Sequence, residues 1–457
     1  MKVLFFNPEQ YVDFENEPSN YQIRLPFLKS CAITQHRDFV YQRVLRADGV
    51  DAMNAAALAE VAAFKPDLVV NSLSWWNESI DAATLHAIRA QGIEVLSVFW
   101  DTWINPLPHE VEIFLASDLV LIMDSLAGYL KYRLLREQSG AGAHVVFCPI
   151  AVFTDTVRPM PADKDIDVLM LGSNEGQRAE LATMLNQELS KRGIGFQRLG
   201  GLVDDANSGS KAKAWIDWPT YAQTISRAKI CVSSQTQPDR MQIKGKIFDF
   251  LACGSFCLTD ANPELARFLP AGTHATYRDA TDCVTQIERY LRDDAARDGI
   301  AQAGHAWMNA TYDYKAFWRA VADGMTHGAD RLPVLPGVEE AYRQMYASQS
   351  LVARTQLAAL GQLANLVLHV DRPKRLAVQA QGSYQGINIL KIDDRFVVAT
   401  NSLDIDFLEI GGELHALTPD GGLTPLKLGE PLAGRPTQMI RAGSVDAAKR
   451  IIDSLFA

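Results

Sequence analysis

The sequence predicts an α/β protein: two Rossmann-like lobes facing a cleft, followed by a C-terminal α+β extension. Three observations carry this. Short apolar runs alternate with helical stretches from the first residues to about residue 150, and the same rhythm restarts at 165. Buried strands of that length, each followed by a helix, form a parallel sheet covered on both faces. Beyond residue 337 the pattern changes to one helical stretch and then to alternating β segments. With 457 residues the chain has room for several domains. We place an N-terminal lobe at 1–155, a second lobe at 160–325 and an accessory extension at 338–457.

In the first lobe, Lys2 to Phe6 opens as a buried strand and 7–30 reads as a long polar loop. Helix is expected at 51–64, 79–91, 108–116 and 125–137. Strands are expected at 64–74, 93–101, 117–124 and 144–150. In the second lobe, strands are expected at 165–173, 195–201, 229–235, 255–260 and 274–279. Helices are expected at 176–192, 220–228, 245–253, 281–292, 294–310 and 313–325, with a loop at 202–217. In the extension, 337–369 reads as helix and 384–426 as β hairpins with Asp-Asp and Gly-Gly turns. A final helix starts at a Ser N-cap.

Composition narrows the function. A net charge of −10 argues against a general nucleic-acid binder, which needs a basic stripe to neutralise phosphates. The six cysteines sit mostly in apolar runs such as VVFCPI and KICVSS, and no second pair completes a zinc pattern, so they read as small core residues in a reducing compartment. MKVLFFNPEQ is too short in its apolar stretch for a signal peptide, and no apolar run is long enough to span a membrane. The chain is expected to be soluble and cytoplasmic. Homo-oligomerisation stays open.

The densest chemical signal is GKIFDFLACGSFCLTD at 245–260. Lys246 and Asp249 stand three apart on one helix near its N-terminal turn. Ligands of open α/β sheets bind at the carboxyl ends of strands, where helices begin. There a lysine neutralises a diphosphate and an aspartate accepts ribose hydroxyls. Periodicity alone favours a solvated ion pair on an amphipathic helix. Arg240 and Lys244 in the preceding loop bring three cations within seven residues of an acidic chain. Gly172 and Ser173, after a strand, can offer backbone N–H groups to a phosphate, with Arg178 on the next helix. In the first lobe, SVFWDTWINPLPHE places Asp101 at a strand end between Trp100 and Trp103. Partial desolvation there raises a carboxyl toward general-base use. His109, Trp75 and Trp76 complete the candidates of this lobe. The chain contains no Gly-x-Gly-x-x-Gly or Walker motif, so NAD and ATP readings are weak, and its Asp-x-Asp triplets, at 163–165, 165–167 and 404–406, open an expected strand or lie in the extension, so a metal-dependent reading is disfavoured as well.

The 245–260 stretch resembles the donor-binding motif of GT-B glycosyltransferases related to family 4: a Lys, an acid three residues on, small residues ending in Gly, then a strand. Asp249 stands where that family has Glu, and Gln242 lies where its upstream acid is sought. The segment 262–314, with Tyr277, Tyr290-Leu291, Ile300-Ala301, Gly304 and Thr311-Tyr312, resembles the C-terminal lobe of CgeB-like bacterial spore-protein glycosyltransferases. So do 165–185 and 218–234. In the extension, Asn388, Arg395 and Asp406 match an element attached to some glycosyltransferases.

The resemblance implies a metal-independent, retaining, hexosyltransferase-like enzyme. It would use no cofactor, but a nucleotide-diphosphate sugar as donor and a hydroxyl acceptor that is a glycan, protein or small molecule. Asp101 and Lys246 would be the catalytic residues. Gly172, Ser173, Arg178, Arg240, Lys244, Lys246 and Asp249 would hold the donor. Trp75, Trp76, Trp100, Trp103 and His109 would hold the acceptor. Epimerisation of a nucleotide sugar, or a non-catalytic GT-B-like protein that binds a nucleotide sugar or a protein partner, are the alternatives.

Overall fold

A computed structural model describes residues 1–8, 23–73, 79–100, 102, 108–172, 176–199, 202–204, 211–213, 218–235 and 242–347. In the extension it describes 374–376, 378–384, 387–400, 406–410, 413–417, 423–430 and 439–456.

The first lobe is a 6-stranded sheet in the order β2-β1-β3-β4-β5-β6, every neighbour parallel. The strands are β1 Lys2–Asn7, β2 Gln35–Val40, β3 Leu68–Ser72, β4 Glu94–Phe99, β5 Leu119–Ile122 and β6 His144–Phe147. Helices α1 Arg24–Ser30, α2 Tyr41–Phe64, α3 Ala82–Arg89, α4 Pro108–Leu115 and α5 Leu126–Ser139 connect them. Leu119 to Ile122 are buried throughout, as a central parallel strand requires.

The second lobe is a 5-stranded parallel sheet, β13-β12-β11-β7-β8. Its strands are β7 Ile166–Leu171, β8 Phe196–Leu199, β11 Ala228–Ser233, β12 Phe256–Asp260 and β13 Ala275–Tyr277, and a small antiparallel pair, β9 Leu202–Asp204 and β10 Lys211–Lys213, stands apart. The helices are α6 Gly176–Ser190, α7 Trp218–Arg227, α8 Gly245–Ala252, α9 Pro263–Phe268, α10 Ala280–Arg292, α11 Asp294–Thr311 and α12 Tyr314–His327. Alternate residues of β7 split between two cores: Val168 and Met170 join one with Leu185 and Ile287, while Leu169 and Leu171 join the large core shared with the first lobe.

Four departures from the sequence reading have physical causes. The loop expected over 7–30 ends in helix α1, which begins without a side-chain cap and with no acidic residue in its first turn. Strand β2 was not expected, because QHRDFV is an edge strand with a largely exposed, polar face. Helix α2 begins ten residues before the expected 51–64, its two parts joined across Gly49 at φ 88°. The expected loop at 202–217 carries β9 and β10.

Helix α12 follows the second lobe in sequence but packs on the first. Trp318 is fully buried, with its ring edge-on to Phe27 of α1 at 5.7 Å. The Tyr314 hydroxyl donates to Asp155 at 2.6 Å. Helix α13, Val338–Ala347, lies against α5, where Arg133 pairs with Glu339 and stacks over the Tyr342 ring at 3.8 Å.

The extension is built from two antiparallel sheets. One is β14-β18-β19-β20 (Lys374–Arg375, Asp406–Ile410, Glu413–Leu417, Leu423–Pro425) and the other β15-β16-β17-β21 (Val378–Tyr384, Ile387–Ile392, Phe396–Thr400, Met439–Ala442). Leu390, Ile392 and Val398 of the second sheet meet Phe407, Leu414 and Ala416 of the first. On its other face, Ile389, Val397 and Ala399 receive Ala448 and Ile452 of α14, Val445–Phe456. Arg395 joins the sheets through Glu409 at 2.6 Å, and Asp393-Asp394 form the expected turn at positive φ. The expected helix beyond residue 347 lies outside the described residues.

Candidate functional site

The ends of β7, β11 and β12 and the start of α8 meet at the carboxyl edge of the second lobe's sheet. Strand β7 stops at Leu171, and Gly172 follows at φ +120°, a backbone region that side chains rarely adopt. Lys246, in the first turn of α8, sends Nζ to the Leu171 carbonyl at 2.9 Å. Arg178, buried on α6, donates from Nη2 to the Ser234 carbonyl at 3.3 Å. A Cβ on Gly172 would collide with Lys246 Nζ and stand 3.0 Å from Arg178 Nη1. Two cationic heads therefore flank one glycine at the carboxyl edge of a parallel sheet, the position where such sheets bind phosphates. Gly172→Ala should lower nucleotide affinity about tenfold, because the methyl displaces both cations and the backbone is strained by about 1–3 kcal/mol. Calorimetric titration of the variant with a nucleoside diphosphate checks this.

The other donor-side candidates are placed as follows. Lys244, at the N-cap of α8, donates from Nζ to Gln242 Oε1. Asp249 is 2% exposed, and its Oδ2 accepts the Tyr221 hydroxyl at 2.8 Å. Lys246 and Asp249 thus reach different elements, β7 and α7. Ser173 and Arg240 lie outside the described residues. On the acceptor side, Trp100 donates from Nε1 to Ser72 Oγ at 3.1 Å, and His109 is buried on α4. Asp101, Trp75, Trp76 and Trp103 lie outside the described residues. Thr102, next to Asp101, donates its N–H and its hydroxyl to Asp124 Oδ1 at 3.1 and 2.8 Å.

The lobes are joined by a polar seam on the turn between β5 and α5, which the sequence reading missed. The Ile243 N–H donates to the Asp124 carbonyl at 2.7 Å, and Gln242 Nε2 donates to Asp124 Oδ2. Glu264, in the first turn of α9, accepts the Leu126 and Ala127 N–H groups at 2.9 and 3.2 Å, so its carboxylate caps the first turn of α5 from the opposite lobe. No local pattern announces such contacts, since Glu264 stands 138 positions from Leu126.

Burial pushes the Glu264 carboxyl up to about 7, against the α5 amides and Lys131, which favour its ionised form. Burial also draws the Lys131 ammonium down to about 7, with Glu264 opposing. For Glu264 the folded state binds the extra proton, so its contribution to stability is complete below about pH 4.5 and is lost as pH rises toward 7. The full change is about 3 kcal/mol. Glu264→Gln should flatten this fall, which unfolding midpoints from pH 4 to 7 measure; an unchanged slope would refute the assignment.

Comparison with known proteins bears on the second lobe and on the fold. Residues 173–323 match the model of the family described as Glycosyl transferase-like. No curated protein matches the chain. Among solved structures, sucrose-phosphate synthase from Thermosynechococcus elongatus aligns at 14% identity with a TM-score of 0.51, over 76% of this chain and 100% of its own. HepE from Anabaena, in complex with UDP and glucose, aligns at 12% identity and TM-score 0.47, over 71% of this chain and 99% of its own. UDP-GlcNAc 2-epimerase from Neisseria meningitidis, bound to UDP-GlcNAc, aligns at 13% identity and TM-score 0.44, over 71% and 100%. Two parallel-sheet Rossmann-like lobes in this arrangement, with a C-terminal antiparallel region added, give the chain the GT-B fold.

Proposed function

We propose that the protein is a glycosyltransferase that moves a hexosyl group from a nucleotide-diphosphate sugar to a hydroxyl acceptor, without a metal ion and with retention of configuration. The observation that carries the reading is the pair of cations, Lys246 and Arg178, on either side of Gly172 at the end of β7. The match of 173–323 to a glycosyl transferase-like family supports it.

In this reading the units 1–155, 160–325 and 338–457 serve as acceptor lobe, donor lobe and accessory module. The diphosphate lies over Gly172 and Ser173, between Lys246, Arg178 and the Lys244–Arg240 loop. As the glycosidic bond breaks, negative charge grows on the leaving diphosphate, and preformed cations stabilise it without reorganising. Asp249, held by Tyr221, faces the ribose end. Asp101 orients the acceptor hydroxyl, with Trp75, Trp76, Trp100, Trp103 and His109 shaping its site. The cleft excludes water that would otherwise hydrolyse the donor. In this reading the enzyme works in a cytoplasmic, reducing location, with its six cysteines free. Among the described residues no helix is long and apolar enough to cross a membrane.

The test is nucleotide release from UDP-, GDP-, dTDP- and ADP-glucose, followed with and without a panel of sugar, peptide and small-alcohol acceptors in EDTA. Acceptor-dependent release from one donor, with an α-linked product by NMR, is the expected result. No release from any donor would refute the reading.

A further inference from the structure

Gln242 is fully buried, and each polar atom of its backbone and side chain is engaged, by partners drawn from both lobes. Its N–H donates to Gln235 Oε1 at 3.1 Å. Its carbonyl accepts from Gln235 Nε2 at 2.7 Å and from Asn262 Nδ2 at 2.8 Å. These bonds fix its main chain to the segments that follow β11 and β12. The side-chain amide then divides between the lobes: Nε2 donates to Asp124 Oδ2 of the first lobe, and Oε1 accepts from Lys244 of the second. The other oxygen of Asp124 accepts both donors of Thr102. A continuous relay therefore runs Thr102–Asp124–Gln242–Lys244, from the residue that follows Asp101 in sequence to the start of α8.

The chemistry of this relay admits few residues. An ammonium only donates and a carboxylate only accepts, so the bridge between them must accept at one end and donate at the other, as a primary amide does. In a buried site a reversed or missing partner is costly, because no water replaces it. We propose that Gln242 and Asp124 are positioning residues of the transfer reaction, holding Lys244 and Thr102 in register between the two lobes. This rests on the donor-site reading above. Lys246 and Arg178 bond the Leu171 and Ser234 carbonyls at the ends of β7 and β11, so loss of the bridge disturbs nucleotide affinity, through Lys244 alone, less than it disturbs transfer between the lobes.

The test compares Asp124→Asn, Gln242→Glu and the double variant. Asp124→Asn sets N–H against N–H at one end of the bridge or, after an amide flip, at the other. Gln242→Glu sets carboxylate against carboxylate. The double variant restores the pattern in reverse: the new amide at 124 donates to the new carboxylate at 242, which accepts Lys244, while its oxygen accepts Thr102. Nucleotide release from UDP-, GDP-, dTDP- and ADP-glucose and binding of the matching diphosphates are measured for each. Each single variant is expected to lose at least tenfold in kcat, with KM and nucleotide Kd within about threefold of the native values, and the double variant to return within about threefold in kcat. A double variant no better than the worse single, or single variants with native kcat, would overturn the proposal alone. A native protein that binds no nucleotide, or releases none from its glucose ester, would overturn the transferase reading and this proposal with it.

Discussion

Lys246→Ala is expected to weaken nucleotide binding about 100-fold and to remove the thermal stabilisation that a nucleoside diphosphate gives the native protein. The ammonium stands at the end of β7, on the Leu171 carbonyl and above Gly172, in the first turn of α8. A charge-assisted bond to phosphate contributes about 1.5–3 kcal/mol, and each 1.4 kcal/mol is a factor of ten. Loss of the lysine therefore removes one to two decades of affinity, while Arg178 remains. Fold stability should change little, because the side chain is partly exposed. Calorimetric titration and unfolding curves of the variant separate the two effects. Equal affinity in variant and native protein would remove Lys246 from the site.

The second large effect concerns the fold. Trp318→Ala is expected to cost about 3–5 kcal/mol, the range for deleting a large buried aromatic ring. Trp318 is fully buried on α12, edge-on to Phe27 at 5.7 Å and to Phe317 at 5.5 Å, and its carbonyl receives the Cys31 thiol. The ring lies where the helix after the second lobe returns to α1 of the first. Its removal opens a cavity between the two, so the loss should appear in chemical unfolding as a lower midpoint. A change under 1 kcal/mol would show that α12 is not anchored there.

The inner parallel strands were legible where both faces are buried and the sequence reads as an unbroken apolar run: LVLI in β5, VLML in β7. Strand β2 was not legible, since an edge strand that shows polar residues to solvent carries no such run. The motif around Lys246 was legible through residue type and spacing, and it lies at the strand ends that the α/β rule indicates. The partners of these residues were not legible. Asp249 meets Tyr221 and Lys244 meets Gln242 through tertiary geometry. The Gln242–Asp124 bridge joins positions 118 apart, and neither residue belongs to a recognisable pattern. Helix α12 was assigned by sequence order to the second lobe's end, yet its apolar face, with Phe317, Trp318 and Val321, is buried in the core shared with the first. Periodicity shows that a helix has an apolar face, but not which lobe covers it.

The central claim is that the second lobe binds a nucleoside diphosphate at the Gly172–Lys246 edge. The most direct measurement is calorimetric titration of the native protein with UDP, GDP, dTDP and ADP in EDTA, repeated with Lys246→Ala. The account predicts saturable binding of one of them without metal, weakened about 100-fold in the variant. Absence of binding by all of them, or equal binding by both proteins, would contradict it.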